Sequence, residues 1–461
     1  MPEGNTDRLQ AEAAHRQFPP GFVWGVATAA YQIEGAVDEG GRGESIWDRF
    51  SHTKGKTADG GTGDVADDHY HRWQEDIAVL RTLHVGAYRL SIAWPRILPL
   101  GRGKVEERGL AFYERLIDAL LATGITPWVT LYHWDLPQAL QDQGGWPSRA
   151  TAAAFAEYVD VVSRRLGDRV HHWITLNEPW CSGHLGYTTG EHAPGKRDQK
   201  QGLAASHTLL LAHGLAVPIL RRNSANAQVG ITLNFSWPYP ATDSEADRAA
   251  ARRWDGFFNR WFLDPLYGRG YPQDMLALYG RSVPKIQTGD FATIAAPTDF
   301  LGVNYYGPAY IKDDRRHRPL RLGHAEPADA EKTAMGWVVS PASFHELLLQ
   351  LGREYPTGPL YITENGAAYD DLAPAQGRVL DPQRLRYFAR HLTAVLDAIH
   401  DGADVRGYFA WSLMDNFEWG SGFSRRFGLV YVDYPTQQRT IKDSGRWYGE
   451  VAASNSLPPA D

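Results

Sequence analysis

The chain has almost no cysteine, no excess of positive charge and no apolar run that reads as long enough to cross a bilayer. Cys181 is the single cysteine in 461 residues, so no internal disulfide can form and a reducing compartment fits. A net charge of −7 offers no footprint for nucleic acid or for an anionic membrane surface. Met1 to Phe18 are polar and mixed in charge, with no apolar core to act as a secretory signal, so the expected location is cytoplasmic. Repeats, low-complexity tracts and composition shifts are also missing, which argues against a second domain. The glycine-rich stretches Gly40-Gly41-Arg42-Gly43 and Gly60-Gly61-Thr62-Gly63 match neither a dinucleotide nor a phosphate-loop fingerprint and read as loops.

Apolar residues are plentiful, at 43% against 22% charged, as in a well-cored soluble protein. Sixteen Trp and 22 Tyr are many for this length. Each offers a flat apolar face with one polar atom, a combination that suits sugars, whose C–H faces are apolar and whose edges carry hydroxyls.

Strand-like runs recur at Phe22–Thr28, Ala87–Trp94, Thr126–His133, His172–Asn177, Gln228–Phe235, Asp299–Tyr306, Leu360–Glu364 and Val405–Leu413. Helix-like spacing separates most of them, clearest at Asp68–Leu83, Gly109–Thr123, Ala150–Leu166, Gly202–Arg222 and Pro382–His400. Eight strands alternating with helices predict an α/β fold, a single (β/α)8 TIM barrel with elaborated βα loops. The expected division is a flexible tail over 1–17, the catalytic barrel over 18–453 and a second tail over 454–461.

Two of these runs close on a glutamate beside an asparagine: Thr175-Leu176-Asn177-Glu178-Pro179 and Ile362-Thr363-Glu364-Asn365-Gly366. A buried carboxylate costs several kcal/mol unless paired or hydrogen-bonded. A chain that places one at a strand end twice builds either two structural ion pairs or one active site. Two carboxyls at the C-terminal mouth of a barrel suit acid/base and nucleophilic work on a glycosidic bond.

Further motifs stand at the other strand ends. Phe22 to Gly35 (FVWGVATAAYQIEG) spans the first run and its loop, Tyr132-His133-Trp134-Asp135-Leu136-Pro137 follows the third, Asn304-Tyr305-Tyr306 the sixth, and Trp411 to Trp419 (WSLMDNFEW) the eighth. Together and in this order they resemble glycoside hydrolase family 1, the β-glucosidases and β-galactosidases, over nearly the whole length. The resemblance implies a retaining β-glycosidase that releases terminal non-reducing β-D-glucosyl, and also galactosyl or fucosyl, residues by double displacement. It assigns Glu364 as nucleophile and Glu178 as general acid, then base. The two carboxyls should lie about 5–5.5 Å apart, the retaining separation. Arg89 and Tyr306 would hold the Glu364 carboxylate, and Asn177 would donate to the sugar 2-hydroxyl. Gln32, His133, Glu418 and Trp419 would fix the 3-, 4- and 6-hydroxyls, with Trp411 as stacking floor and Trp337 stacking the leaving group. Trp134, Asn304 and Phe427 complete the implied binding set.

The resemblance also separates relatives. Members that take 6-phosphorylated sugars carry a phosphate-binding serine near the place of Glu418, whose charge would repel a phosphate; Arg425, close by, is of an anion-binding type. Glutamate at 178 argues against the thioglucosidase branch, which carries glutamine there. With two carboxylates supplying proton and nucleophile, no metal or organic cofactor is expected, and the partner is a small glycoside rather than nucleic acid or membrane. A metal reading of His69, His71, His171 and His172 lacks an HExxH spacing, and adjacent His171 and His172 lie on opposite faces of a strand.

Overall fold

The computed structural model describes residues 16–459. Eight parallel strands close into a barrel: β1 Val23–Ala27, β2 Ala87–Ser91, β3 Thr126–Thr130, β4 His172–Asn177, β5 Gln228–Phe235, β6 Phe300–Tyr305, β7 Leu360–Asn365 and β8 Val405–Trp411. Each pairs with its neighbours in sequence, and β8 returns to β1 with Trp24 opposite Tyr408 and Ala27 opposite Trp411. All eight expected strands are present, within two residues at most ends.

The end of the barrel away from the strand C-termini is filled with rings. Trp128 stacks on His172 at 4.2 Å and meets Tyr361 at 4.7 Å, Phe409 at 5.1 Å and Phe300 at 5.3 Å. A Cβ on Gly25 would lie 2.3 Å from the Phe409 ring, so only glycine lets β1 pass this plug. Part of the tryptophan surplus is therefore core, and the open end of the barrel is left for chemistry.

Helices cover the barrel: α1 His69–Thr82, α2 Glu107–Ala122, α3 Arg149–Leu166, α4 Gln199–Asn223, α5 Glu245–Asp255, α6 Pro341–Glu354, α7 Pro382–His400 and α8 Asp443–Ser454. In α7, Tyr387, Phe388, His391, Leu392, Val395 and Leu396 are buried, the stripe expected of a helix lying on a sheet. Between β5 and β6 the chain makes a long excursion through α5 and several shorter helices, and α6 follows β6. Neither α5 nor α6 was among the clear periodic stretches. Small sheets, one of Pro238–Pro240, Ala309–Asp313 and Leu322–His324 and one of Val430–Asp433 with Gln438–Ile441, decorate the mouth.

One sequence expectation needs correction. Helix α4 is long and apolar enough to cross a membrane, contrary to the reading of apolar runs, yet 78% of its apolar window is buried inside the protein, as in a core helix. The two ends of the described chain meet beside the barrel. Gln17 pairs with Ser456, the Phe18 amide donates to the Asn455 carbonyl at 3.0 Å, and Asn455 accepts from Trp24 at 2.9 Å. These contacts tie the segments 16–18 and 455–457 to the barrel, while 1–15 and 460–461 lie outside the described residues.

Candidate active site

A cavity of about 640 Å³ opens at the C-terminal ends of the strands, with Glu178 and Glu364 in its wall. Glu364 is the fifth residue of β7 itself, and Glu178 follows β4 directly. Both are nearly buried, at 3% and 5% exposure. Gly366 explains how the β7 end reaches the site. A Cβ there would sit 1.8 Å from the Trp411 carbonyl oxygen, so glycine allows β7 to press against the end of β8.

The two carboxyls have different surroundings. Arg89, on β2 and fully buried, donates to Glu364 Oε1 at 2.6 Å, and the Tyr306 hydroxyl donates to Oε2 at 2.7 Å. Burial raises the Glu364 pKa, while Arg89 first and Tyr306 next pull it down. Glu178 touches no cation. Asn304 donates to its Oε1 at 2.7 Å and the Cys181 thiol to its Oε2 at 3.0 Å. Burial pushes its pKa to about 7, with the nearby Glu364 charge the second cause. Depth in the cavity is the larger effect. Of the pair, Glu364 is therefore the group held as an anion and Glu178 the group that keeps a proton near neutral pH.

Behind the carboxyls lies a fully buried amide network. Asn177 Oδ1 accepts from Arg89 at 2.6 Å and from Asn304 at 3.0 Å, while Asn177 Nδ2 faces His133 Nε2 at 3.0 Å. Because an amide can only donate there, that histidine nitrogen accepts and Nδ1 carries the hydrogen. Burial, followed by the Arg89 charge, holds the His133 pKa well below the usual range, so the ring is neutral. Among the described residues His133 Nδ1 has no partner, and neither has Gln32 Oε1, although both are buried. A buried donor and a buried acceptor left open cost free energy unless a ligand meets them, and sugar hydroxyls can meet both.

The walls are aromatic. Trp411 and Trp419 stack with His133 at 5.9 Å each, and Trp134 packs on Trp419 at 4.5 Å. Trp337 lies 5.1 Å from Tyr306 and 6.1 Å from Phe427. Trp134, Glu178 and Trp419 all adopt positive φ, at 80°, 47° and 47°, a backbone cost that surrounding packing sustains at functional sites. Charges hold the loop carrying Glu418. Lys442 contacts Asp415 at 2.6 Å and Asp371 at 2.5 Å, and Arg426 binds Asp415 at 2.6 Å.

The sequence-predicted residues therefore separate into two layers. His133, Trp134, Glu178, Tyr306, Trp337, Glu364, Trp411, Glu418, Trp419 and Phe427 line the cavity. Arg89, Asn177, Asn304 and Gln32 stand behind it, each fully buried. Gln32 donates to Phe417 O at 2.9 Å and reaches Glu418 Oε2 at 3.4 Å. Burial, then the charges of Glu364 and Glu178, raises the Glu418 pKa to about 8, which favours the neutral acid near pH 7 over the anion assumed from sequence. Arg425 turns to the carbonyl of Ser424 at 3.2 Å and is absent from the cavity wall, where the cation is Lys56. Sequence reasoning missed Cys181, which touches Glu178, and Trp180, Asn234, Trp254 and Phe258, which form much of the rest of the wall. Trp180 and Cys181 directly follow the Asn-Glu-Pro motif, which was the available signal.

The four histidines of the metal reading are not gathered. His69 pairs with Asp76 at 2.7 Å, His71 binds Asp68 and Glu39, and His172 stacks on Trp128. Among the described residues no group of three His, Cys, Asp or Glu side chains is placed to hold a metal ion.

A closed parallel barrel with one arginine-paired and one unpaired carboxyl at its mouth defines a hydrolase working by paired carboxylates. The family model for glycosyl hydrolase family 1 matches residues 14–457. Beta-glucosidase A of Acetivibrio thermocellus is 47% identical over 447 residues, covering 95% of this chain and 99% of that protein. A bifunctional beta-D-glucosidase/beta-D-fucosidase of Bifidobacterium breve is 47% identical over 461 residues, covering 95% and 99%. The solved structure of a Thermotoga maritima family 1 glycoside hydrolase, complexed with a cyclophellitol analogue transition state mimic, matches with a TM-score of 0.94 at 48% identity, covering 96% of this chain and 99% of that one. The chain belongs to glycosyl hydrolase family 1. It is a retaining β-glycosidase.

Proposed function

We propose that this glycosidase removes terminal non-reducing β-D-glucosyl residues, and also galactosyl or fucosyl ones, from oligosaccharides and aryl or alkyl glycosides. The observation that carries the assignment of roles is the unequal pair: Glu364 held by Arg89 and Tyr306, Glu178 buried without a cation. Glu364 attacks the anomeric carbon while Glu178 protonates the departing oxygen, giving a glycosyl ester on Glu364. Glu178, now ionised, takes a proton from water, which attacks the same carbon and releases the sugar with its β configuration. His133 Nδ1 and Gln32 Oε1 meet hydroxyls of the terminal sugar, Trp411 stacks against its apolar face, and Trp337 flanks the leaving group. Asn177 lies against the 2-hydroxyl, where a bond that tightens in the transition state contributes most.

The same reading places Glu418 on the 4- and 6-hydroxyls, with Trp419 beside it. Hydrogen bonds of this kind contribute about 0.5–1.5 kcal/mol each, rising to about 1.5–3 when one group is charged. A 6-phosphate would lose them and bring its charge toward the Glu364 carboxylate. Unphosphorylated p-nitrophenyl β-glucoside is expected to exceed its 6-phosphate in kcat/KM by at least about two orders of magnitude. Glu418→Ser should narrow that gap, mainly by slowing the unphosphorylated substrate. Preference of the unaltered enzyme for the 6-phosphate would make Lys56 an anion clamp and overturn this account of the loop. A panel of p-nitrophenyl β-glycosides followed by cellobiose and longer cello-oligosaccharides tests the sugar and chain-length assignment. A cytoplasmic role in cellulose degradation belongs to the same proposal, supported by the lone cysteine and the β-glucoside specificity proposed here.

A further inference from the structure

We propose that Cys181 is a positioning residue for proton transfer, holding and tuning the Glu178 carboxyl through its thiol. The inference rests on the assignment of Glu178 as acid and base. Cys181 stands three residues after Glu178, and its amide donates to the Glu178 carbonyl at 3.0 Å, closing the turn. From Cys181 to Thr189 the chain continues as a π-helix, a widened form that recurs at functional sites. The turn aims Cys181 Sγ back at the acid, 3.0 Å from Glu178 Oε2. On its other side, Asn234 of β5 approaches Sγ through Nδ2 at 3.9 Å. An amide nitrogen only donates, so it faces the sulfur lone pairs and leaves the S–H free to point at the carboxyl.

Each oxygen of Glu178 therefore has its own neighbour. Oε1 receives the Asn304 amide, a strong donor that favours a carbonyl-like oxygen. Oε2 faces the thiol, a weak donor and weak acceptor, and is the oxygen better suited to carry the transferable proton. A hydroxyl at 181 would stabilise the carboxylate more strongly and draw the proton off at lower pH. An alkyl group would leave Oε2 without a donor and keep the proton on to higher pH. The other groups facing this pair are Glu364 on β7, Arg89 on β2, Tyr306 after β6 and Glu418 on the last loop. All are unchanged by substitution at 181.

The test is the pH profile of kcat/KM on cellobiose, whose poor leaving group needs protonation, for the unaltered enzyme and for Cys181→Ser, Cys181→Ala and Cys181→Val. Cys181→Ser is expected to move the basic limb down by about half a pH unit, and Cys181→Ala and Cys181→Val to move it up by a similar amount, the size of one weak hydrogen bond to an ionising group. Valine fills the space without donating, which separates the hydrogen bond from packing. The acidic limb, set by Glu364, should stay in place, and kcat should change more than KM. Variants that are folded and slower but keep the original basic limb would overturn the proposal and leave Cys181 a packing residue. Azide rescue of Glu178→Ala is run alongside. If rescue fails, the assignment of Glu178 is at fault; if rescue succeeds and the limb stays fixed, only the role of Cys181 is.

Discussion

Glu364→Ala is expected to abolish turnover on every substrate, whatever its leaving group, with a fall in kcat of at least about four orders of magnitude. The reason is chemical: without that carboxylate no glycosyl ester can form, and the first displacement has no nucleophile. The protein should still fold. Glu364 sits at the cavity wall, where its removal leaves Arg89 bonded to the Thr363 carbonyl at 3.0 Å, to Asn177 at 2.6 Å and to Thr130 at 3.2 Å. Burst kinetics and circular dichroism on the purified variant check both halves. A variant that is folded and retains a tenth of the original rate would remove Glu364 from the mechanism.

Glu178→Ala is expected to behave differently, and the difference matters more than the size of the loss. A general acid contributes about 10²–10⁴-fold. That loss should appear in full on cellobiose or alkyl glucosides. It should be much smaller for the glycosylation of Glu364 by 2,4-dinitrophenyl glucoside, whose leaving group departs without a proton. The second step then becomes limiting, because water lacks its base and the glycosyl ester accumulates. Azide needs no base, so added azide should restore the rate and yield a β-glycosyl azide. Losses that are equal across leaving groups and insensitive to azide would contradict the role given to Glu178.

How far these assignments could be read in advance follows from where each residue sits. The strands announce themselves because each is a short apolar run ending in polar or aromatic residues, and barrel closure follows from their number and alternation. Glu178 and Glu364 stand out because a carboxylate at a buried strand end is costly unless it works or is paired. Arg89 is less visible from sequence alone, since its partner on β7 is distant in the chain and only barrel closure brings β2 opposite. The proton affinities were the least legible. The depth of Glu178 and Glu418 in the cavity sets their pKa values more than the charges nearby, and depth is a property of the assembled mouth. The outer wall was missed for a related reason. Trp254 and Phe258 come from the excursion after β5, far in sequence from any strand end, and Trp180 with Cys181 belongs to a turn and π-helix that periodicity does not mark.

The stereochemistry of the first-formed product tests the central claim most directly. Hydrolysis of p-nitrophenyl β-glucoside followed by proton NMR, at enzyme concentrations that outrun mutarotation, reports which anomer leaves the site. Double displacement through Glu364 predicts that β-glucose appears first and the α-anomer grows in only as the sugar equilibrates. Initial release of α-glucose would mean a single displacement by water, and would contradict a covalent role for Glu364.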